Sequence, residues 1–256
     1  MKKQHSLSVI LITKNEADRV EKCLQSVAHV ADEIIVLDSG STDDTVAICQ
    51  RYTDKVTITD WPGFGKQKQR ALEQATCDWV LSIDADEALD EVMQQSMTQL
   101  LCQTDIECTS YRLPWGVTIY GKTLKYGRSA RSVLRLFQRE GARYTLDEVH
   151  ETVVPAEGKK GKLAGLLLHY TQRHYGHGLE KTAKYAWLGA QKYHRKGKKA
   201  RPFPLIVLGG GWTFILIYFI RRGFLDGAIG FIVAMSYAQA NYNKHMGLWL
   251  LQNRKP

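Results

Sequence analysis

Trp79-Val80-Leu81-Ser82-Ile83-Asp84-Ala85-Asp86-Glu87 runs from a largely apolar stretch straight into two carboxylates one residue apart. An apolar run of that length bounded by polar residues predicts a buried strand. Asp84 and Asp86 then fall where the strand leaves the sheet, which is where open α/β folds bind their ligands. Two hard oxygen donors at such a point suit Mg²⁺ or Mn²⁺ held against a phosphate. The Asp-x-Asp pattern also has a plainer use, with Asp86 or Glu87 capping a following helix, and the neighbouring segments decide between the two.

Upstream, Leu7 to Ile12 reads as a strand, and Thr13-Lys14-Asn15-Glu16 has the spacing of a capping box for a helix reaching about Val27. Glu33 to Leu37 reads as a second strand. It ends at Asp38-Ser39-Gly40-Ser41-Thr42-Asp43-Asp44, whose Ser41-x-x-Asp44 predicts another helix to about Tyr52. A short strand over Val56 to Thr59, a helix over Gly65 to Ala75 and the strand Trp79 to Ile83 complete an alternation that predicts an α/β fold, with a mostly parallel sheet flanked by helices. Downstream, Thr109 to Tyr120, Val133 to Gln138 and Leu163 to Tyr170 read as strands. Between Gly178 and Arg195, Leu179, Ala183, Ala186, Ala190 and Tyr193 alternate four and three apart, the pattern of an amphipathic helix. The reading therefore places an α/β domain over 1–177, with its ligand site in the first hundred residues or so, and a helical extension over 178–256.

With 35 Lys and Arg against 26 Asp and Glu, the chain favours anionic partners: nucleotide, phospholipid, phosphorylated glycan or nucleic acid. No groove-binding pattern of interleaved aromatics and cations appears, so nucleic acid is not expected. Cys23, Cys49, Cys77, Cys102 and Cys108 are odd in number and contain no Cys-x-x-Cys pair, which argues against a disulfide framework or zinc ribbon and suits a reducing cytosol. The apolar run at Leu7 to Ile12 is too short for a signal segment and meets Lys14 and Glu16 at once, so a cytoplasmic location is expected.

Phe203 to Ile220 holds eighteen residues without a charge, after Lys192, Arg195, Lys196, Lys198, Lys199 and Arg201 with no acid among them. Eighteen is at the short end for crossing a bilayer, and Pro204 and Gly209-Gly210-Gly211 argue against one continuous helix. The reading is an interfacial or re-entrant, membrane-associating helix beside an anionic leaflet, where each basic residue contributes about 1 kcal/mol. The alternative is a buried core helix behind a solvated basic loop. A second apolar segment, Gly223 to Ala240, carries only Asp226 and is able to pair with the first.

Val9-Ile-Leu-Ile-Thr-Lys-Asn-Glu16, Ile34-Ile-Val-Leu-Asp-Ser-Gly-Ser-Thr-Asp43 and Leu81-Ser-Ile-Asp-Ala-Asp-Glu87 together resemble the inverting family 2 glycosyltransferases, which have the GT-A fold. The resemblance implies a nucleotide-sugar site built from Thr13, Asn15, Glu16, Asp38, Ser39 and Asp84, with a divalent metal, Mg²⁺ or Mn²⁺, on Asp86. Asp38 would meet the uracil or ribose edge, although a carboxylate there also stabilises its own turn. Asp84 would meet the ribose, the metal or a metal-bound water. Lys66 and Arg70, one helical turn apart, either face the diphosphate or are solvated surface charges. Leaving of the nucleoside diphosphate loads negative charge on phosphate, and the acceptor hydroxyl must lose a proton to a nearby carboxylate. Leu146-Asp-Glu-Val-His-Glu151 supplies the candidates. Val149-His-Glu151 looks like the family's base element, which makes Glu151 the expected base, Asp147 and Glu148 the alternates, and His150 either a metal ligand or a group that orients the base. His169, His174 and His177 lack a metal-ligand spacing and are read as structural.

Phe64-Gly-Lys-Gln-Lys68, Val149-His-Glu151, Leu168-His-Tyr170 and Arg221-Arg-Gly-Phe-Leu-Asp-Gly227 are similar to the lipopolysaccharide inner-core branch of that family, the β-1,4-glucosyltransferases acting on the first heptose. This resemblance implies UDP-glucose as donor, a lipid A-core glycolipid as acceptor, and a peripheral or monotopic enzyme on the cytoplasmic face of the bacterial inner membrane. A polyprenyl-phosphate sugar transferase would ask for the same surface. A non-catalytic basic peripheral membrane protein is the reading from another class.

Overall fold

A computed structural model of the chain describes residues 3–127, 131–145 and 152–253. It divides into two compact units, one of residues 1–116 and 131–169, the other of 117–130 and 170–256. The units are discontinuous in sequence, with the segment 117–130 grouped with the C-terminal helices.

The first unit begins with β1 (Leu7–Thr13), α1 (Val20–Val27), β2 (Glu33–Asp38), α2 (Thr45–Cys49), β3 (Val56–Ile58), α3 (Phe64–Gln74) and β4 (Trp79–Asp84). These four strands pair in parallel in the order β3-β2-β1-β4. Their apolar runs are long because both faces are covered. Alternation sorts the side chains by face: Val9, Leu11, Ile34, Val36, Leu81 and Ile83 enter one core cluster with α1, while Ile10, Ile35, Leu37 and Val80 enter another with Ala71, Leu72 and Ala75.

The chain continues through β5 (Glu87–Leu89), α4 (Glu91–Leu101), β6 (Cys108–Ile119), β7 (Lys122–Thr123), β8 (Arg131–Gln138), β9 (Arg143–Tyr144), β10 (Val153–Val154), β11 (Lys159–Lys162) and β12 (Leu167–Gln172). Here the pairing turns mostly antiparallel: β8 joins β4 and β6, and β12 joins β5. The result is a mixed sheet flanked by helices. Asp86 and Glu87 cap no helix, since Glu87 opens β5 and Asp90 caps α4 through its carboxylate, which accepts from Met93 N–H at 2.8 Å.

Two expected helix starts also differ. Thr13-Lys-Asn-Glu16 caps nothing, and α1 begins only at Val20. Its residues instead meet the turn after β2: Asn15 N–H donates to Ser41 Oγ at 2.8 Å, Asn15 Oδ1 accepts from Thr42 N–H at 2.8 Å, and Glu16 N–H donates to Thr45 Oγ1 at 2.8 Å. Asn15 reaches these partners from the left-handed region, at φ 53°. Ser41 likewise points to Asp38 rather than to a helix start. Polar residues at a strand end can bond to another loop as readily as to the next helix, and here the tertiary partner wins.

At the opposite end of the strands Glu33 fastens three segments. Its carboxylate accepts from Ser8 Oγ, from Lys55 Nζ at 2.5 Å, and from Thr76 N–H and Oγ1 at 3.0 Å each. Burial opposes its ionisation, but Lys55, Ser8 and Thr76 outweigh that and bring its pKa down to about 2. A lowered carboxylate pKa stabilises the fold fully above the unfolded value, roughly 4.3, and that contribution is lost as pH falls through the folded one. Glu33→Ala is expected to destabilise the protein by about 2 kcal/mol at pH 7. Urea unfolding at pH 7 and pH 3 checks this, with the gap between variant and wild type narrowing at the lower pH.

The second unit contains α5 (Tyr175–Arg195), α6 (Phe203–Ile215), a π-helical turn over Leu216–Ile220, a 3₁₀ turn over Gly223–Asp226 and α7 (Gly227–Asn253). Pro204 lies in the first turn of α6, where its missing N–H costs nothing, and the helix runs unbroken through Gly209 to Gly211. Gly210 allows close approach to α7, since a Cβ there would stand 3.3 Å from Tyr242 Cβ. Phe214 meets Phe231 edge-on at 5.5 Å, so the two apolar segments do pair, and Asn241 Nδ2, just beyond the second, donates to Thr213 Oγ1 at 2.6 Å. Asp226 is buried because its carboxylate accepts the backbone N–H groups of Lys125 and Tyr126 at 3.2 and 3.0 Å. On α5, Ala186 and Ala190 are buried as their spacing predicts, whereas Leu179 and Ala183 are exposed.

Candidate active site

Parallel register brings the ends of three strands to one rim. Thr13 pairs with Asp38 across β1 and β2, and Ile12 pairs with Asp84 across β1 and β4. Asp38 is fully buried and already saturated: one oxygen accepts from Thr13 Oγ1 at 2.8 Å and Ser41 Oγ at 2.5 Å, the other from the N–H groups of Gly40 and Ser41 at 2.9 and 2.7 Å. What it does in this structure is shape the loop, the Asx role. Ser39, also buried, accepts from Gln67 Nε2 at 3.2 Å, which ties that loop to α3.

Asp84 and Asp86 have different surroundings. Asp84 forms ion pairs through both oxygens, with Lys68 Nζ at 2.9 Å and with the Arg135 guanidinium. Burial would raise its pKa, but Arg135 and Lys68 prevail and hold it well below the usual carboxylate range. Arg135 Nη2 also donates to Glu87 Oε1 at 2.7 Å. Glu87 lies at 1% exposure, accepts from Asp84 N–H at 3.0 Å and Trp115 Nε1 at 3.1 Å, and has its carboxyl pKa raised by burial and by Asp84, against the pull of Arg135. This is a buried network of two acids and two cations, in which each charge depends on the others.

Asp86, one-fifth exposed, faces away from that network. Its Oδ2 is 3.3 Å from His169 Nε2 and 3.5 Å from Arg19 Nη1, and Arg19 in turn holds Glu16. His169 arrives through antiparallel pairing of β12 with β5, opposite Glu87, and stacks on Trp115 at 4.4 Å with the rings 15° apart. Asp86 and His169 would offer a divalent ion one carboxylate oxygen and one imidazole nitrogen, a two-residue donor set that no third His, Cys, Asp or Glu among the described residues completes. Buried His169 Nδ1 has no partner among the described residues. Both Asp84 oxygens, in contrast, are taken by cations.

Lys66 is exposed and Arg70 pairs with Asp60 at 2.6 Å, so the cation of α3 that reaches the rim is Lys68. Its placement follows from helical spacing: Lys68 shares the inward stripe of Ala71, Leu72 and Ala75, which Lys66 and Arg70 do not. Arg135 and Trp115 carried no local signal, Glu87 stood out only as the end of the Leu81–Glu87 motif, and His169, read from the sequence as structural, instead reaches Asp86. His174 caps α5 through Nδ1, accepting from His177 N–H at 3.2 Å, and His177 Nδ1 accepts from Arg173 N–H at 3.2 Å, the structural use expected of both. Asp147, Glu148, His150 and Glu151 lie outside the described residues. The chain enters and leaves that stretch through β9 and β10, which pair antiparallel, and Tyr144 N–H donates to Gln69 Oε1 at 2.8 Å, beside Lys68 on α3.

The model of glycosyl transferase family 2 matches residues 8–154, which take in the three strand ends of the rim. The lipopolysaccharide core biosynthesis glycosyltransferase LpsC of Rhizobium meliloti (strain 1021) is 37% identical over 91% of this chain and 87% of its own length. An uncharacterized glycosyltransferase of Rickettsia typhi (strain ATCC VR-144 / Wilmington) is 31% identical over 92% and 84%. Among solved structures, the mannosyltransferase PcManGT of Pyrobaculum calidifontis, in complex with GDP-Man and Mn²⁺, aligns at 16% identity over 98% of this chain and 76% of that one, with a TM-score of 0.48. The α/β sheet flanked by helices, with further helices following it in the chain, is the fold class the sequence led us to expect. On the family match and the length of its shared identity with these relatives, the chain belongs to glycosyl transferase family 2.

Proposed function

We propose that the protein transfers glucose from UDP-glucose to a heptose hydroxyl of the lipopolysaccharide inner core, with inversion, at the cytoplasmic face of the bacterial inner membrane. The observation that carries the reaction class is the division of labour in Asp84-Ala-Asp86: Asp84 is neutralised by Lys68 and Arg135, while Asp86 stands beside His169 with coordination capacity to spare. The acceptor class is supported by the 37% identity to LpsC, whose name places it in lipopolysaccharide core biosynthesis. A surface suited to a membrane-embedded acceptor supports it too, since the apolar segment Phe203–Ile220 is only 17% buried.

Asp86 and His169 would hold the divalent ion, which when bound stabilises charge developing on the leaving diphosphate. Lys68 and Arg135 place two further positive charges at the same rim and keep Asp84 fixed and ionised. Glu151 is the base in this reading. It takes the proton of the attacking hydroxyl, while Asp147 and Glu148 are the alternates and His150 orients it. Thr13, Asn15, Glu16, Asp38 and Ser39 build the nucleoside wall, chiefly by holding its loops.

Incubation of the purified protein with a panel of UDP-sugars and heptose-terminated core lipid, with product linkage determined, tests the proposal. A β-1,4-glucosylated heptose is expected. Turnover only on a polyprenyl phosphate would transfer the activity to that acceptor, and no turnover on either would leave a non-catalytic membrane protein. Glu151→Gln is expected to keep UDP-glucose affinity and to lower kcat by about 10²- to 10⁴-fold, the usual range for loss of a general base. Wild-type kcat in that variant moves the base to Asp147 or Glu148.

A further inference from the structure

Most of the chain's imbalance of charge belongs to the second unit. Seventeen of the 35 Lys and Arg lie there against two acids, Glu180 and Asp226, whereas the first unit has more acids than bases. Three of those cations gather at one place. Tyr193, near the end of α5, has Lys198 Nζ at 4.3 Å and Lys244 Nζ at 4.9 Å from its ring centroid, and its ring meets His245 edge-on at 5.9 Å. Arg201 is the third, with its guanidinium against Gly209 of α6. His245 registers all three: burial first, then Lys244, Arg201 and Lys198, push its pKa below the ordinary imidazole value.

This cluster is built rather than draped. The turn that carries Lys198 is pinned by Lys198 N–H donating to Tyr193 O at 3.0 Å, and by Gln252, which donates to Lys198 O and accepts from Ala200 N–H at 2.8 Å each. His245 is 9% exposed, and its buried Nδ1 has no partner among the described residues. Neither acid of the unit is near enough to compensate. Glu180 precedes Tyr193 by thirteen residues of helix, about 20 Å, and Asp226 precedes Lys244 by a span of about 27 Å. Asp226 is moreover already occupied by the backbone of Lys125 and Tyr126.

Among the described residues none of these three cations has an ion-pair partner, and like charges held together in that way create a strong local potential for an anion. Two ammonium groups and a guanidinium match the several acceptor oxygens of a phosphate, and a planar guanidinium adds directional pairing. The apolar face begins at once beyond Arg201, where Phe203, Leu205, Leu208 and Trp212 are each more than half exposed. A phosphate that carries acyl chains satisfies both surfaces together. We infer that Lys198, Arg201 and Lys244, around Tyr193 and His245, form a site for the phosphate of an anionic phospholipid head group, with α6 entering the acyl boundary beside it. The inference rests on the membrane association proposed above and names the ligand that fixes it.

Flotation of the full-length protein with phosphatidylcholine vesicles, with and without phosphatidylglycerol, tests the site against diffuse attraction. Lys198→Gln/Lys244→Gln is expected to weaken binding to the anionic vesicles about tenfold more than Lys184→Gln/Lys192→Gln, which removes the same charge from the exposed surface of α5. Equal losses overturn the site while leaving membrane association intact. A wild-type protein that floats with neither vesicle removes the membrane reading itself and the lipid with it. Titration of dihexanoyl-phosphatidylglycerol, followed by the His245 imidazole ¹⁵N resonances, is expected to shift them at concentrations where inorganic phosphate does not. Equal shifts with inorganic phosphate, or none with either, overturn the lipid assignment.

Discussion

Asp86→Asn is expected to lower kcat/KM by about 10³-fold or more while the protein remains folded, because it removes the rim carboxylate that lies beside His169 and outside the Lys68–Arg135 pairing. The side chain is one-fifth exposed and pairs with His169 and Arg19; the change is nearly isosteric, and Arg19 keeps its pairing with Glu16. Asparagine keeps an oxygen for Arg19 but is a far weaker ligand for a hard divalent ion. Steady-state glucosyl transfer with a Mn²⁺ titration makes the measurement, and circular dichroism controls for folding. Unchanged transfer, or full wild-type activity in excess chelator, would refute the metal role. His169→Gln, tested alongside, should raise the Mn²⁺ concentration needed for half-activity if the imidazole shares the ion.

The second large effect is on stability. Arg135→Met should cost about 3–5 kcal/mol, since removing one partner from a buried ion network leaves the others uncompensated. In the wild type Asp84 is held ionised by Arg135 and Lys68 against the cost of burial. Without the guanidinium, Asp84 and Glu87 must share Lys68 or take up protons. The deficit should therefore be largest near neutral pH and shrink as pH falls toward 4, where the unfolded chain also binds those protons. Arg135→Lys keeps the charge but cannot reproduce the shared Nη2 contact to both acids, and should fall between the two. Urea unfolding at pH 7 and pH 4.5 reads both variants. Equal stability of Arg135→Met and wild type at pH 7 would show that the network contributes nothing to the fold.

The two variants separate what one dipeptide spacing had joined. From the sequence, Asp84 and Asp86 are equivalent: two acids after a strand, both suited to a metal. Strand alternation would put both on one face; it is the turn at Ala85 and Asp86, directly after β4, that gives them different surroundings, and which surroundings depends on residues far along the chain. Arg135 reaches Asp84 because β8 pairs antiparallel with β4, and His169 reaches Asp86 because β12 pairs with β5. Neither pairing is encoded locally, so Arg135 did not stand out and His169 was read as structural. Lys68 is a different case. Its position on the stripe of Ala71 and Leu72 was legible, and a count of helical turns from those residues separates it from Lys66 and Arg70.

By itself the sequence determined the parallel half of the sheet, from Leu7 to Asp84, because strands covered on both faces need uninterrupted apolar runs and the helices between them need their own spacing. It also determined that the rim would carry acids and that the last third would offer charge-free helices behind a basic collar. Tertiary structure decided which polar groups meet: Thr13 and Asn15 bind the loop after β2 instead of capping α1, Asp38 is spent on its own turn, and Asp226 accepts from the N–H groups of Lys125 and Tyr126. Burial of an apolar side chain is rewarded almost wherever it lands, so its pattern survives in one dimension. A hydrogen bond or ion pair depends on a partner at a fixed distance, and that partner is chosen only when strands remote in sequence are laid side by side.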